Sequence, residues 1–180
     1  MACDINTGRL EACKDSIGGI RNIYIGNYDA AMFDGLTEDG TSITALTAPI
    51  TVYKFELRGD SNTFEETNEN SRDNGTSFWT QTGAIVLKHQ DADTQSVVKL
   101  LSYGRPHIIV EDYNGNYRLA GAQNGCEVTS NTSTGGAMGD LNGYNLSFEG
   151  REKSPSFFVT SSLMGDAAGF VISTDTITPN

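Results

Sequence analysis

The sequence predicts a mainly β protein with one α-helix. Several segments alternate apolar and polar residues, as half-buried strands do, and the clearest is TVYKFELR at 51–58. Only DADTQSVVKLLSYG, at 91–104, changes to a helical period. The 20 glycines indicate many turns between short elements. With 180 residues, the chain suits a single domain over 1–180 built around one core.

Strands are predicted on both sides of the middle of the chain. IRNIYIGNYDAAMF at 20–33 is predicted to be the first strand. In 51–58, alternate residues divide into an apolar set that should face the core and a charged set that should face outwards. The apolar set is Tyr53, Phe55 and Leu57, and the charged set is Lys54, Glu56 and Arg58. FWTQTGAIVLKH at 78–89 is a second long strand, amphipathic at first and more apolar towards its end.

The helix is predicted over 93–103. Three apolar residues at positions i, i+3 and i+4 give it one apolar stripe, and they are Val97, Leu100 and Leu101. Asp93 or Thr94 is expected to cap its start and Gly104 to end it. Pro106 then prevents the helix from continuing.

The last third of the chain returns to strands. HIIVEDYNGNYRLAG at 107–121 predicts a hairpin, because Asn114-Gly115 suits the positive φ angles of a tight turn. A short strand is expected after Gly125, and another over 143–152. The residues of 143–152 that should face inward are Tyr144, Leu146 and Phe148. SPSFFVTS and GFVISTD are the late strand candidates.

A long polar stretch, SNTFEETNENSRDNG at 61–75, separates the two long strands and predicts a loop over 59–77. Loops beyond ~12–15 residues are uncommon and are usually functional or disordered. Phe64 inside the stretch and Phe78 at its exit need a surface to cover them, and Arg72 is placed to pair with an acidic partner. The alternative is a solvated loop without function. We expect a segment that becomes ordered when it docks.

The charge and the cysteines narrow the class of protein. A net charge of −11 argues against a grip on nucleic acid and against adhesion to anionic lipid. The start of the chain lacks the apolar core of a signal peptide, and no apolar run approaches the ~20 residues of a membrane span. The three cysteines, Cys3, Cys13 and Cys126, are then expected to be reduced thiols in a cytoplasm.

No catalytic, metal or cofactor site is expected. The two histidines, His89 and His107, have no partner motif, and Cys3 and Cys13 fall outside the spacing of zinc ligands. The segment DLNG at 140–143 begins like a calcium loop but lacks the later ligands, so a turn is expected there. An enzyme is the least favoured class.

Two long segments resemble the major tail tube protein of tailed bacteriophages. The first is YKFELRGDSNTFEETNENSRDNGTSFWTQTGAIVLKHQDADTQSVVKLLSYGR, and the second is YRLAGAQNGCEVTSNTSTGGAMGDLNGYNLSFEGREKSPSFFV. The opening CDINTGRLEACKDSIGGIRNIYIGNYD is also similar to such proteins. The resemblance covers most of the chain and lies in the order of many weak motifs.

This resemblance implies a β-sandwich or half-barrel with a flanking helix that assembles into hexameric rings. The rings would stack into the tube of a virion tail, built in the host bacterial cytoplasm, through which DNA passes without specific binding. The implied partners are further copies of the chain and other tail proteins, namely the terminator, the baseplate or tip and the tape measure. Neither a membrane nor a cofactor is implied.

The resemblance also assigns candidate residues. The loop 59–77 would reach the next ring through Phe64, Glu65, Glu66, Arg72 and Phe78. The candidates for the wall of the lumen are Lys54, Glu56, Arg58, Thr80 and Thr82. Residues 1–19 would form an N-terminal arm.

Three alternatives stay open. A terminator or neck protein would form a ring that does not stack, and a phage-derived contractile injection machine would use a similar tube. A binding sandwich, such as one that recognises carbohydrate, would need an aromatic cluster on its loops.

Overall fold

A computed structural model describes residue 5 and residues 7–178 and confirms the predicted mainly β fold with one helix. The strands are β1 Ile20–Gly26, β2 Leu36–Asp39, β3 Ser42–Leu46, β4 Ile50–Glu56, β5 Thr63–Ser71, β6 Thr76–Lys88, β7 His107–Asp112, β8 Tyr117–Ala120, β9 Cys126–Ser133, β10 Gly143–Glu152, β11 Phe157–Val159 and β12 Phe170–Ile172. The helix α1 is Ala92–Tyr103, and short 3-10 turns lie at Phe33–Gly35 and Ser161–Leu163. The first strand is therefore shorter than predicted.

The strands form two sheets. One has eight strands in the order β12-β4-β1-β7-β8-β11-β3-β2, and it curls into a half-barrel. The other has four strands in the order β5-β6-β10-β9, and every neighbouring pair in it is antiparallel. The hairpin predicted in 107–121 is present as β7 and β8, joined by residues 113–116. Gly115 has the expected positive φ of 81°, whereas the positive φ expected of Asn114 is not observed.

Two clusters of buried side chains form the core. The first contains residues from both sheets, so it lies between them, and its largest members include Ile23, Ile85, Leu146, Phe148 and Tyr144. The predicted inward residues of β10 are confirmed by this cluster. The second lies on the other face of the eight-stranded sheet and includes Tyr24, Ile109, Leu119, Phe157 and Phe170.

Strand β4 departs from the predicted alternation of buried and exposed side chains. Phe55 and Leu57 pack in the first cluster as predicted. Tyr53 was predicted to be buried, which is wrong, because 39% of its surface is exposed. Its neighbour Val52 is 2% exposed and packs in the second cluster, on the opposite face of the sheet. Because the half-barrel has buried side chains on both faces, residues of this strand do not divide into one buried face and one exposed face.

Helix α1 starts one residue earlier than predicted, at Ala92. Its N-cap is Asp91, whose carboxylate accepts hydrogen bonds from the backbone N–H of Thr94 at 2.8 Å and from the Thr94 hydroxyl at 2.6 Å. These two bonds lower the pKa of Asp91. The caps predicted at Asp93 or Thr94 are therefore wrong, whereas the end at Gly104 is confirmed.

The helix buries a stripe that overlaps the predicted one: Leu101 packs against the core as predicted, but Val98 is buried in place of Leu100. Val98 is 4% exposed and Leu101 packs beside it in the first cluster, whereas Leu100 is 68% exposed. Thr94, Val97, Val98 and Leu101 also have helical spacing, so the sequence fits either stripe. Packing against the four-stranded sheet selects the stripe that contains Val98.

Because Val98 is buried and Leu100 is exposed, we expect substitution by aspartate to have unequal effects at these two positions. Val98→Asp should lower the free energy of unfolding by about 3–5 kcal/mol, because it buries an unpaired carboxylate. Leu100→Asp should leave the thermal midpoint of the monomer nearly unchanged, since that side chain is already in water. Circular dichroism melts of both variants under monomeric conditions measure the difference. Equal losses would contradict the assigned face.

The largest correction concerns the predicted loop over 59–77. Residues 63–71 form strand β5, which pairs with β6 along its whole length, and only residues 72–75 make the turn. Gly75 in that turn has a φ of 62°. Alternate residues of β5 do point inward, but they are Phe64, Glu66 and Asn68. Two of these three are polar, so the alternation typical of a half-buried strand is hidden in the sequence.

Candidate functional site: the four-stranded sheet and its projecting hairpin

The outward face of the four-stranded sheet is lined by small polar and acidic side chains. Residues directly paired across antiparallel strands point to the same face. One row of paired residues contains Thr63, Ala84, Ser147 and Thr129, and the next contains Glu65, Thr82, Glu149 and Glu127. A shallow depression of about 520 Å³ lies over these two rows. We call this surface the polar face.

Acids outnumber bases on the polar face. The acids on its four strands are Glu65, Glu69, Glu127 and Glu149, and the bases are Lys88 and Arg151. The Arg151 Nε atom lies 2.8 Å from the Glu149 Oε1 atom, so this base is paired. Glu127 and Glu149 face each other directly on neighbouring strands. Like charges in that arrangement disfavour the sheet, so the acidic row does not serve subunit stability.

The structure separates the residues predicted to line a lumen. Thr80 and Thr82 lie on the polar face, in β6. Lys54 and Glu56 lie on β4 in the other sheet, and Arg58 follows that strand. There the Lys54 Nζ atom is 3.5 Å from the Glu56 Oε1 atom, and the Arg58 Nη2 atom is 4.0 Å from the Glu56 Oε2 atom. The five residues therefore do not form one surface.

The β5–β6 hairpin extends past the rest of its sheet. Strand β10 pairs with β6 only from Trp79 to Lys88, whereas β5 and β6 stay paired as far as Ser71 and Thr76. Residues 69–78, which we call the tip, thus have no third strand beside them. A two-stranded ribbon is marginally stable alone in water. The tip is a surface suited to contact with another chain.

Two of the residues predicted to contact the next ring are instead bound within the subunit. The ring of Phe64 stacks on Phe148 with 6.1 Å between centroids. Gly83 lies opposite both residues, and a Cβ there would overlap the Phe148 ring. The Glu66 carboxylate accepts hydrogen bonds from Arg118 Nη2 and from the backbone N–H of Ser156, both at 2.6 Å. These contacts attach β5 to the subunit.

The other three predicted contact residues divide between two surfaces. Arg72 is exposed in the turn of the tip, and Phe78 is half-buried at its base. Glu65 lies on the polar face. The tip therefore contains Arg72 and Phe78, and the polar face gains Glu65.

Sequence reasoning missed the contribution of β9 and β10 to the polar face. Assigning Tyr144, Leu146 and Phe148 to the core already implies that Ser147 and Glu149 point outward. Which strand lies beside β10 depends on the topology, and the sequence did not reveal that Glu127 and Glu65 share its row.

Both edges of the four-stranded sheet are open in the isolated subunit. Within the described residues, β5 and β9 each pair with one strand only. Because neighbouring strands alternate in direction and there are four of them, β5 and β9 run in opposite directions. An open edge is a template for pairing with another chain.

The histidines and cysteines form no reactive cluster in the described residues. The buried His107 lies with its Nδ1 atom 2.6 Å from the Gly121 carbonyl oxygen, and its Nε2 atom accepts the N–H of Asp29 at 3.1 Å. Both ring nitrogens are thereby occupied in holding loops. His89 and Cys13 are exposed, Cys126 is buried, and Cys3 lies outside the described residues. Burial raises the pKa of the Cys126 thiol, so it remains protonated.

The part of the chain that the structure describes contains no group of three or more acidic, histidine or cysteine side chains placed to hold a metal ion. It also contains no helix with the length and apolar character needed to cross a membrane.

Comparisons with protein-family models, with curated proteins and with solved structures find no match to this chain.

Proposed function

We propose that the chain is a structural subunit of a phage tail tube. Its copies assemble into rings, which are hexameric if the resemblance to tail tube proteins holds for ring size, and the rings stack around a channel for DNA. The observation that carries this proposal is the four-stranded sheet, whose two edges are open and whose outward face is polar and acidic. An enzyme or a ligand-binding role has no comparable support.

The directions of the strands support a closed ring. If copies stand side by side, β9 of one copy lies antiparallel to β5 of the next, as all neighbouring strands do within the sheet. Closing the ring then removes every free edge of this sheet, as closure does in a β-barrel. Each contact joins two different surfaces, which is the kind of contact that generates rings.

The polar face suits the wall of a channel for DNA. In a ring with this face inward, the rows that contain Glu65, Glu127 and Glu149 would repeat around the channel. The phosphate backbone of DNA is repelled by carboxylates and bound by lysine and arginine. An excess of acids therefore favours passage without adhesion. Other tail proteins would meet the two ends of the tube.

The tip favours stacked rings over a single terminating ring. Residues 69–78 project beyond the sheet and leave Arg72 exposed. A projection that leaves the sheet along its strands gives each copy a surface for a contact with a further ring. The tip therefore favours a tube subunit over the alternative of a ring protein.

Purified protein should form rings and tubes as its concentration rises, because mass action favours assembly. Negative-stain electron microscopy and light scattering across a concentration series measure this directly. Dilution of the same sample provides the control, since it should return the subunits to solution. A monomer without rings at the highest soluble concentration would contradict the proposed function.

A further inference from the structure

The sandwich is closed along one edge by helix α1. The helix lies over β9, and the hydroxyl oxygens of Ser102 and Ser130 are 3.2 Å apart across this contact. Val98 of the helix and Val128 of β9 belong to the same buried cluster. The helix therefore covers the gap between the two sheets at β9, whereas the backbone edge of β9 stays unpaired within the described residues.

The opposite edge of the sandwich is open. Beside β5 lies a groove of about 470 Å³, bounded by the β7–β8 hairpin and by the chain that leads into β1. Its apolar lining includes Phe64, Val110 and Tyr113, of which Tyr113 is 44% exposed. Phe64 and Val110 also pack in the first core cluster, so the groove opens onto the core. No element of the described chain covers it in the way that α1 covers the other edge.

The groove is acidic at its rim. The acidic residues at this rim are Asp60 and Asp112, and Glu65 adjoins it with its side chain on the polar face. Burial would raise the pKa of Asp112, but hydrogen bonds from Asn116 and Asn114 outweigh burial and lower the pKa. Asp112 therefore carries its charge at neutral pH. Arg118 also lines the groove, but its guanidinium is paired with Glu66.

Helix α1 has an exposed apolar face that complements the groove in its apolar surface and in its charge. Leu100 is 68% exposed and Tyr103 is 78% exposed, and their spacing of three residues places them on one side of the helix. Lys99 is exposed next to them. This face combines two large apolar side chains with a base, whereas the groove combines an apolar lining with acids.

We propose that α1 of one copy occupies the groove beside β5 of the next copy. The proposal rests on the side-by-side arrangement proposed above, which brings the edge at β9 against the edge at β5. The helix and the groove both lie on the core side of the four-stranded sheet, so pairing those edges brings them together. Lys99 then meets Asp60 and Asp112, and opposite charges favour this orientation over others.

Cross-linking tests the contact directly. Cys3 and Cys13 are first replaced by serine, and Cys126 is kept because it is buried. Single accessible thiols are then introduced by Ser96→Cys on the helix and Ser61→Cys beside the groove. Both serines are exposed in the subunit. A short bis-maleimide is added to the full-length protein at a concentration where light scattering shows assembly.

A contact between unlike surfaces gives a distinctive pattern on a denaturing gel. A chain with both thiols should form a ladder of multimers, and an equal mixture of the two single-thiol chains should form dimers only. Either single-thiol chain alone should stay uncross-linked. This pattern follows because each contact joins a helix to a groove and never two helices.

The outcomes separate this inference from the proposed function. Assembled protein that gives no cross-links between positions 96 and 61 would overturn the helix–groove contact and leave the tube in place. Protein that stays monomeric and uncross-linked would overturn both. Protein that cross-links between positions 96 and 61 but forms neither rings nor tubes in the electron microscope would support the contact and count against the tube.

Substitutions on the helix provide a second measurement. Leu100→Ser and Tyr103→Ser should each raise the concentration of half-assembly about tenfold or more, because each removes a large apolar side chain from the contact. Gln95→Ser is the control on the same helix: Gln95 is exposed and lies beyond Lys99, on the side away from Leu100 and Tyr103, so the substitution should change that concentration by less than about twofold. Equal effects of all three would overturn the proposal.

Discussion

Shortening the β5–β6 hairpin should leave a subunit that folds and forms rings but does not build long tubes. The change replaces residues 70–77 by the dipeptide Asn-Gly, which suits a two-residue hairpin turn. Phe64 and Glu66, which attach β5 to the subunit, are retained, as is the pair of Glu69 with Phe78. Removing the whole polar stretch would instead delete β5 and unfold the edge of the sheet.

Tube length in the electron microscope measures the effect, and circular dichroism checks the fold. Arg72→Ala provides a graded control with the hairpin intact. It should shorten tubes at low salt and differ less from the parent at high salt, where charge pairing is screened. Tubes of normal length from the shortened protein would show that the tip is not the contact between rings.

Phe148→Ala should strongly lower the stability of the subunit. The side chain is 3% exposed, stacks on Phe64 and covers the face of Gly83. Its removal leaves a cavity that a glycine cannot fill, so the free energy of unfolding should fall by about 3–5 kcal/mol. For a chain of this size the melting temperature should drop by roughly 6–20 °C.

The matched control is Phe158→Ala. Phe158 is 41% exposed, so the same substitution there should cost about 1 kcal/mol. Phe148→Leu, which retains most of the volume, should cost less than about 1.5 kcal/mol. Thermal melts under monomeric conditions compare the three variants. A similar loss for Phe148→Ala and Phe158→Ala would mean that the stack of Phe148 on Phe64 contributes little.

The sequence was sufficient where apolar residues follow a regular period. Strand β10 and the β7–β8 hairpin were predicted because Tyr144, Leu146 and Phe148 alternate and because Asn114-Gly115 fixes a turn. The polar strand β5 was missed because Glu66 and Asn68 occupy inward positions. A glutamate is found there only because Arg118 and Ser156, far away in the sequence, provide its hydrogen bonds.

The candidate site was harder to predict than the fold. Thr80 and Thr82 were predicted to line a lumen and Glu65 to contact the next ring, but their common surface depends on which strands are neighbours. Lys54 and Glu56 have the same alternating pattern and lie on the other sheet. Side-chain direction along one strand is a local property, whereas the assignment of that strand to a sheet is set by packing between distant segments.

The even number of strands in the small sheet has a consequence for the size of the assembly. Because the sheet has four strands of alternating direction, β9 of one copy and β5 of the next would be antiparallel in a ring of any number of copies. Backbone pairing alone therefore does not distinguish five copies from six or seven. The angle by which each copy is rotated relative to its neighbour must then determine the number of copies in the ring. The volume of the side chains packed between neighbouring copies sets this angle. Copy number would then be a tunable property of a few side chains and not of the backbone.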